Sequence, residues 1–210
     1  MIEKEGVIKY QLDYQQTAPT KELLEELNVL RSLLFQMGMI GQDPKRYGGY
    51  GFGNLSMRML QKPDCFIISG TQTGHLEELT PEHYTVVEQC DIAANKVVAR
   101  GPVAPSSEAL THAMFYQLQP SVQCVLHVHA PEQWRYGLEH GYSSTAKSVA
   151  YGTVEMASEI ENLYKQGRFD ERKVLVMAGH EDGVISFGDS VDDAGMAMLQ
   201  FYVDARFSNQ

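Results

Sequence analysis

The chain is predicted to fold as a three-layer α/β domain (αβα), with a central, mainly antiparallel mixed sheet flanked by helices. Two observations predict it. Strand-like and helix-like segments do not alternate strictly, as a doubly wound parallel sheet requires, and neighbouring strands lie close enough to pair as hairpins. The composition, 43% hydrophobic and 21% charged over 210 residues, is that of one globular unit. Residues 1–19 read as a polar N-terminal arm and residues 20–210 as a single domain, without internal repeats.

Taken in order, the arm ends at Thr17-Ala18-Pro19-Thr20, and Thr20 is expected to cap a helix. Leu23, Leu24, Leu27, Leu30, Leu34 and Met37 then follow helical spacing to about residue 38, where Gly38 and Gly41 stop it. Tyr47-Gly48-Gly49-Tyr50-Gly51-Phe52-Gly53-Asn54 has too many glycines for regular structure and gives the backbone freedom for a turn or a close approach. Leu55 to Leu60 alternates apolar and polar residues as a half-buried strand does. Lys62-Pro63-Asp64 reads as a turn, and Cys65 to Ile68 as a second strand ending at Ser69-Gly70-Thr71.

Residues 84–100 read as a hairpin turning near Ala94-Asn95. Ser106-Ser107-Glu108 opens a helix carrying Leu110, Met114, Phe115 and Leu118, and Pro120 follows its end. Val122 to Val128 is a buried strand broken by Pro131. Residues 153–165 are a further amphipathic helix. Val174 to Met177 and Val184 to Phe187 are short strands, and Asp189 to Arg206 is the last helix. Trp134 and Tyr136 are expected to fill the core or a subunit contact.

The net charge of −10 comes without any Lys/Arg cluster, so a nucleic-acid footprint is missing and no nucleic-acid partner is expected. An anionic substrate would have to be held locally, by backbone N–H groups, hydroxyls, a metal or a single arginine. Cys65, Cys90 and Cys124 fit no metal or redox spacing and are expected to be free thiols. Met1-Ile2-Glu3-Lys4-Glu5 lacks the apolar core of a signal peptide, and no apolar run reaches the roughly 20 residues a membrane span needs. The protein is therefore expected to be soluble and cytoplasmic, without a membrane partner.

The chemistry concentrates in a few segments. In Leu126-His127-Val128-His129, strand positions i and i+2 share a face, so both imidazoles can reach one ion while Val128 packs behind them. Neutral imidazole suits zinc and other divalent first-row metals. The plainer alternative is a pair of histidines on a partly exposed strand. His180, after the strand at 174–177, is a sensible third ligand from a neighbouring strand end. His112 lies one helical turn after Glu108 and is expected to be an ordinary helix-surface residue.

Ser106 and Ser107 at a helix start offer hydroxyls and unpaired backbone N–H groups, a pocket suited to phosphate or carboxylate. Simple helix capping is the alternative. Glu108, if beside a metal, would serve as a fourth ligand or a general base. Asn54 and Ser69-Gly70 place small polar groups at strand boundaries, where they would touch an oxyanion or merely shape turns. Cys124 and His127 are three apart on one strand and so face opposite sides, which sets aside cysteine–histidine catalysis.

Taken together, these segments resemble the class II aldolase/adducin family, which includes fuculose-phosphate aldolase and ribulose-phosphate 4-epimerase. The resemblance rests on Gly53-Asn54-Leu55-Ser56, Ile68-Ser69-Gly70, Pro105-Ser106-Ser107-Glu108, His127-Val128-His129, Tyr151-Gly152-Thr153, and His180 with Gly183, in the family's order over roughly residues 22–205. It implies that His127, His129 and His180 bind a metal, usually Zn2+, and that Glu108 is the catalytic acid/base. Asn54, Ser69, Gly70, Ser106 and Ser107 would surround a substrate phosphate. It also implies a homotetramer.

The reaction implied is that of an aldolase-like lyase on a small hydroxy-carbonyl or sugar-phosphate substrate, through a metal-stabilised enediolate. Epimerase, dehydratase or decarboxylase chemistry on the same fold, or a non-catalytic adducin-like binding module, are the alternatives. Where family enzymes usually read Asn-His-Gly, this chain reads Gly179-His180-Glu181-Asp182-Gly183, a longer and more acidic loop. Glu181 or Asp182 would engage the metal or repel an anionic substrate. A catalytic tyrosine has no clear place; Tyr142, Tyr151 and Tyr202 are its candidates.

Overall fold

Alternation of buried and exposed residues begins earlier than the expected arm allows. In the computed structural model, which describes residues 6–207, Gln11–Gln16 is strand β1, with inward Leu12 and Tyr14 packed against the core. It pairs in parallel with Lys96–Gly101. Residues 11–16 of the expected polar arm are thus part of the sheet. Met1 to Glu5, read above as lacking a signal peptide's apolar core, lies outside the described residues.

Helix α1 is Glu25–Gln36 and buries Leu27, Leu30, Arg31 and Leu34. Thr20 does not cap it: the Thr20 hydroxyl accepts from Glu22 N at 3.2 Å, which fixes a bend ahead of the helix. Strands β2 (Gly41–Gln42) and β3 (Gly51–Phe52) form a small ladder around the glycine-rich loop. Strands β4 (Asn54–Met59) and β5 (Lys62–Ser69) follow. The turn between them is Leu60-Gln61, so Lys62, Pro63 and Asp64 belong to the strand rather than to the turn expected there.

Strands β6 (Tyr84–Asp91) and β7 (Lys96–Gly101) form the expected hairpin. Helix α2 is Ala109–Leu118, and β8 is Cys124–His129. Pro131 does more than break this strand. It starts helix α3 (Pro131–Glu139), where its missing N–H costs nothing. Strand β9 (Ser143–Ser144) leads to α4 (Val154–Lys165), capped by the Thr153 hydroxyl on Met156 N. Strands β10 (Val174–Val176) and β11 (Gly183–Gly188) precede α5 (Val191–Phe207).

Nine strands form one sheet in the order β1-β7-β6-β5-β4-β8-β11-β10-β9. Only the outermost pairs, β1 with β7 and β9 with β10, are parallel. The two faces bury separate cores. Val125, Ile185, Phe66 and Ile68 face α2 and α4, whose Leu110, Ala113, Met156 and Ile160 cover them. Leu126, Val128, Val184 and Ile67 face α1 and α5, with Leu27, Leu34, Ala194, Met198 and Phe201 opposite. Period-two alternation thus splits β8 between two cores and puts His127 and His129 on the α2 side. Among the described residues no helix is long and apolar enough to cross a membrane, and all three cysteines are free.

Candidate functional site

Strand β8 is central, so its imidazoles are deeply buried. Asn54 on β4 pairs with His127, and Gly183 on β11 pairs with His129. His180 sits in the turn closing the β10–β11 hairpin, held by His180 N on Met177 O and by Gly183 N on His180 O. Gly183 is required there for room: a Cβ at that position would lie 2.5 Å from His180 Cδ2. The ring therefore folds over the strand and faces His129.

The three side chains meet. His129 Nε2 is 3.2 Å from His127 Nε2 and 3.1 Å from His180 Nε2. One ligand atom from each ring lies within 4.8 Å of the others. Hydrogen bonding alone does not satisfy this arrangement. A ring nitrogen carries either one proton or one lone pair, so His129 Nε2 cannot donate to one neighbour while accepting from the other. Three lone pairs around a cation satisfy all of them. Tetrahedral zinc–nitrogen bonds of about 2.05 Å imply N···N separations of roughly 3.3 Å, close to those here. Burial and the neighbouring rings hold His127 and His129 far below the usual histidine range, so both are neutral and ligand-ready.

Glu108 occupies the N-cap position of α2, without a side-chain cap bond, and is buried beside the triad, with Oε1 3.9 Å from His180 Nε2. Asn54 lies next to His127, and its buried Oδ1 has no hydrogen-bond partner among the described residues. Ser69 Oγ accepts from Leu55 N at 3.3 Å, and Ser106 Oγ from Glu108 N at 3.3 Å. Ser106 N donates to Ser69 O at 3.2 Å, and Gly70 bridges Pro105. The β5 end and the α2 start are thereby tied together, with Ser107 buried between them and Glu108. The nine predicted site residues fall in the region where β4, β5, β8, the start of α2 and the β10–β11 turn converge.

Other expectations need correcting. His112 is not on the helix surface but wholly buried. Its Nδ1 is 2.7 Å from Ser56 Oγ, which is 2.7 Å from Tyr116 OH. Burial pushes the His112 pKa down to about 3. Of the tyrosines proposed, Tyr142 bonds Asp204 on the opposite core, and Tyr202 on α5 lies beside Arg206. Only Tyr151 reaches the triad, with its ring centroid 4.6 Å from that of His180.

Residues that sequence reasoning missed surround the site. Tyr10 donates its hydroxyl to Ser106 O at 2.7 Å, so the N-terminal segment straps the α2 start. Tyr47 from the glycine-rich loop packs edge-on against His129, centroids 4.5 Å apart, and donates to Asp182 Oδ2 at 2.6 Å. Asp182 is therefore engaged with Tyr47. The glycines around Tyr47 were the one available signal of such a close approach.

Comparison with known proteins follows the same lines. The profile of the class II aldolase and adducin N-terminal domain matches residues 44–205. Methylthioribulose-1-phosphate dehydratase of Xanthomonas euvesicatoria pv. vesicatoria (strain 85-10) is 34% identical over 80 residues, which cover 38% of this chain and 33% of the relative. The enzyme of the same name from Xanthomonas campestris pv. campestris (strain B100) is 35% identical over 121 residues, covering 56% of this chain and 50% of the relative. The matches thus span a third to a half of these relatives' length. Among solved structures, an L-fuculose 1-phosphate aldolase superimposes with a TM-score of 0.66 at 19% identity, over 90% of this chain and 86% of that one. A sugar-phosphate aldolase from Thermotoga maritima gives 0.65 at 15% identity, over 88% and 92%. At such identities these structures establish a shared fold.

Proposed function

This chain belongs to the class II aldolase and adducin family, and from that premise we propose that it is a metal-dependent, aldolase-like lyase acting on a small hydroxy-carbonyl or sugar-phosphate substrate. The observation that carries the reading is the convergence of His127, His129 and His180, with their Nε2 atoms 3.1–3.2 Å apart around His129 and the Glu108 carboxylate 3.9 Å from His180. A non-catalytic binding module has no use for that combination.

A divalent ion held by the three histidines would supply Lewis-acid polarisation of a substrate oxygen. The chain does the rest. Glu108, fixed at the α2 N-terminus, takes a proton from, or returns it to, the carbon or oxygen next to the polarised group. Asn54, Ser69, Gly70, Ser106 and Ser107 present amide, hydroxyl and backbone groups to an anionic tail, at a helix start that favours negative charge. The buried walls exclude water and strengthen each of these interactions.

The bond broken distinguishes two readings. Carbon–carbon cleavage is the aldolase reading. Loss of water is the second, favoured by the name dehydratase that the curated relatives bear. Incubation of the metal-loaded protein with a panel of phosphorylated and unphosphorylated hydroxy-ketones, with products identified by mass, decides between them. Two carbonyl fragments mark an aldolase, and one product lighter by water marks a dehydratase. A protein that neither retains a divalent ion nor turns over any of the panel would overturn the proposal.

A further inference from the structure

The loop before β3 brings a cation to the rim of the triad. The Arg46 guanidinium carbon lies 4.9 Å from the Tyr47 ring centroid and 4.8 Å from that of Phe52. Both rings touch His129, with centroids 4.5 and 5.4 Å away. Arg46 Nη2 donates to the Tyr47 hydroxyl at 2.6 Å, and that hydroxyl donates to Asp182 Oδ2 at 2.6 Å. Asp182 is anchored in turn, because its carbonyl accepts from the N–H of Ala130, the residue after His129. Tyr47 and Asp182 both hold left-handed backbone, φ 48° and 63°. Such conformations are strained for residues with a side chain and persist where the surroundings fix them.

This cation is held but not saturated. A guanidinium has five N–H donors in a fixed fork. Its separation from Asp182 Oδ2 is 3.8 Å, beyond hydrogen-bond range, and that oxygen already takes the Tyr47 phenol. The Arg46 side chain is 30% exposed. Two aromatic rings pack against its flat group, so its N–H edge remains the part able to meet a ligand. That geometry suits a planar, bidentate contact to an oxyanion. The need for a cation is real in a chain of net charge −10 whose site already contains Glu108 and Asp182. Lys9, on the other side, lies 3.4 Å over the Tyr151 ring and donates to Tyr151 O.

We propose that Arg46, set by Tyr47 and Asp182 against His129, receives an acidic group of the substrate, a phosphate or a carboxylate. The proposal rests on the reading of the triad as the reaction centre and specifies the substrate class of that centre. Asp182 is then the counter-anion from which the guanidinium turns when the ligand arrives. The longer, acidic loop around His180 thus serves to position Arg46 rather than to bind the metal.

The test measures anion binding separately from metal binding. The full chain, metal-free, is titrated with inorganic phosphate and with lactate, and amide shifts give each Kd for wild type, Arg46→Gln, Arg46→Lys, Asp182→Asn and Ser107→Ala. Zinc stoichiometry is measured on the same proteins. Arg46→Gln is expected to weaken anion binding about tenfold and Arg46→Lys less, as for loss of a charge-assisted contact. Asp182→Asn is expected to tighten it by removing the competitor. Stronger Arg46-dependent binding of phosphate assigns a phosphorylated substrate, and of lactate a carboxylated one. Undetectable anion binding, Arg46→Gln within twofold of wild type, weaker binding in Asp182→Asn, or loss confined to Ser107→Ala would each overturn the proposal. A failure of zinc binding with Arg46-dependent anion binding intact would instead remove the reading of the triad.

Discussion

The imidazoles of His129 and His180 meet at right angles, with ring planes 90° apart and Nε2 atoms 3.1 Å from each other. Two rings stacked for packing alone would present faces or edges. Here they present nitrogens, and His127 adds a third from the same direction. Wild-type protein dialysed against zinc is therefore expected to retain one ion per chain, and His180→Ala to retain less than a tenth of that by elemental analysis. A ligand at a thousand times its Kd stabilises a fold by about 4 kcal/mol, so added zinc should raise the melting temperature of wild type and not of the variant. Equal zinc content in the two proteins would sink the triad.

Glu108 gives a second expectation. Its carboxylate is buried and 3.9 Å from His180 Nε2, outside the triad's own cluster of ligand atoms. Glu108→Gln keeps the size of the side chain and removes the proton acceptor. Turnover is expected to fall about 10²- to 10⁴-fold, the usual range for a positioned acid/base. Zinc content should stay at the wild-type level. A large loss of zinc instead would make Glu108 a fourth ligand.

His112 predicts a pH dependence of stability. Its pKa in the fold is about 3, against an ordinary 6.5. Below about 6.5 the unfolded chain takes up a proton there that the folded chain refuses until far lower pH. Stability is thus complete above that value and is lost as pH falls, by about 1.4 kcal/mol per pH unit for this one group. Denaturant unfolding of metal-free protein between pH 6 and pH 4 is expected to show a shallower slope in His112→Phe and His112→Gln than in wild type, by about that amount. Parallel curves for all three would mean that His112 is not buried neutral.

The histidine pair was legible because strand geometry is local: positions i and i+2 share a face whatever the strand pairs with. Its place in the sheet was not, since β8 pairs with β4 and β11, remote in sequence. His112 misleads because a helix-surface reading assumes one dry face, whereas every residue of α2 from Ala109 to Tyr116 is buried. Strand β1 carries its own signal in the alternation of Ile8, Tyr10, Leu12 and Tyr14, masked by the glutamines around it. Its parallel partner begins 85 residues later, at Lys96 opposite Gln11, and no local rule reaches that far. The link between Tyr47 and Asp182 spans 135 residues and depends on two loops whose course the sequence leaves open.

Gly183 supplies the sharpest test of how the third ligand is aimed. Its φ lies outside the left-handed region, so alanine suits the backbone, and any effect of Gly183→Ala comes from the added Cβ. That atom would lie 2.5 Å from His180 Cδ2 and 3.1 Å from His180 O. The imidazole must swing away from His129 to relieve the contact, while the β8–β11 ladder is free to stay paired. Metal affinity is expected to fall about 10- to 100-fold, the scale on which misdirected ligands weaken metal sites. Competition with a chelating dye measures it, and far-ultraviolet circular dichroism checks that the sheet persists. Affinity within twofold of wild type would mean that His180 is held by something other than the space Gly183 leaves.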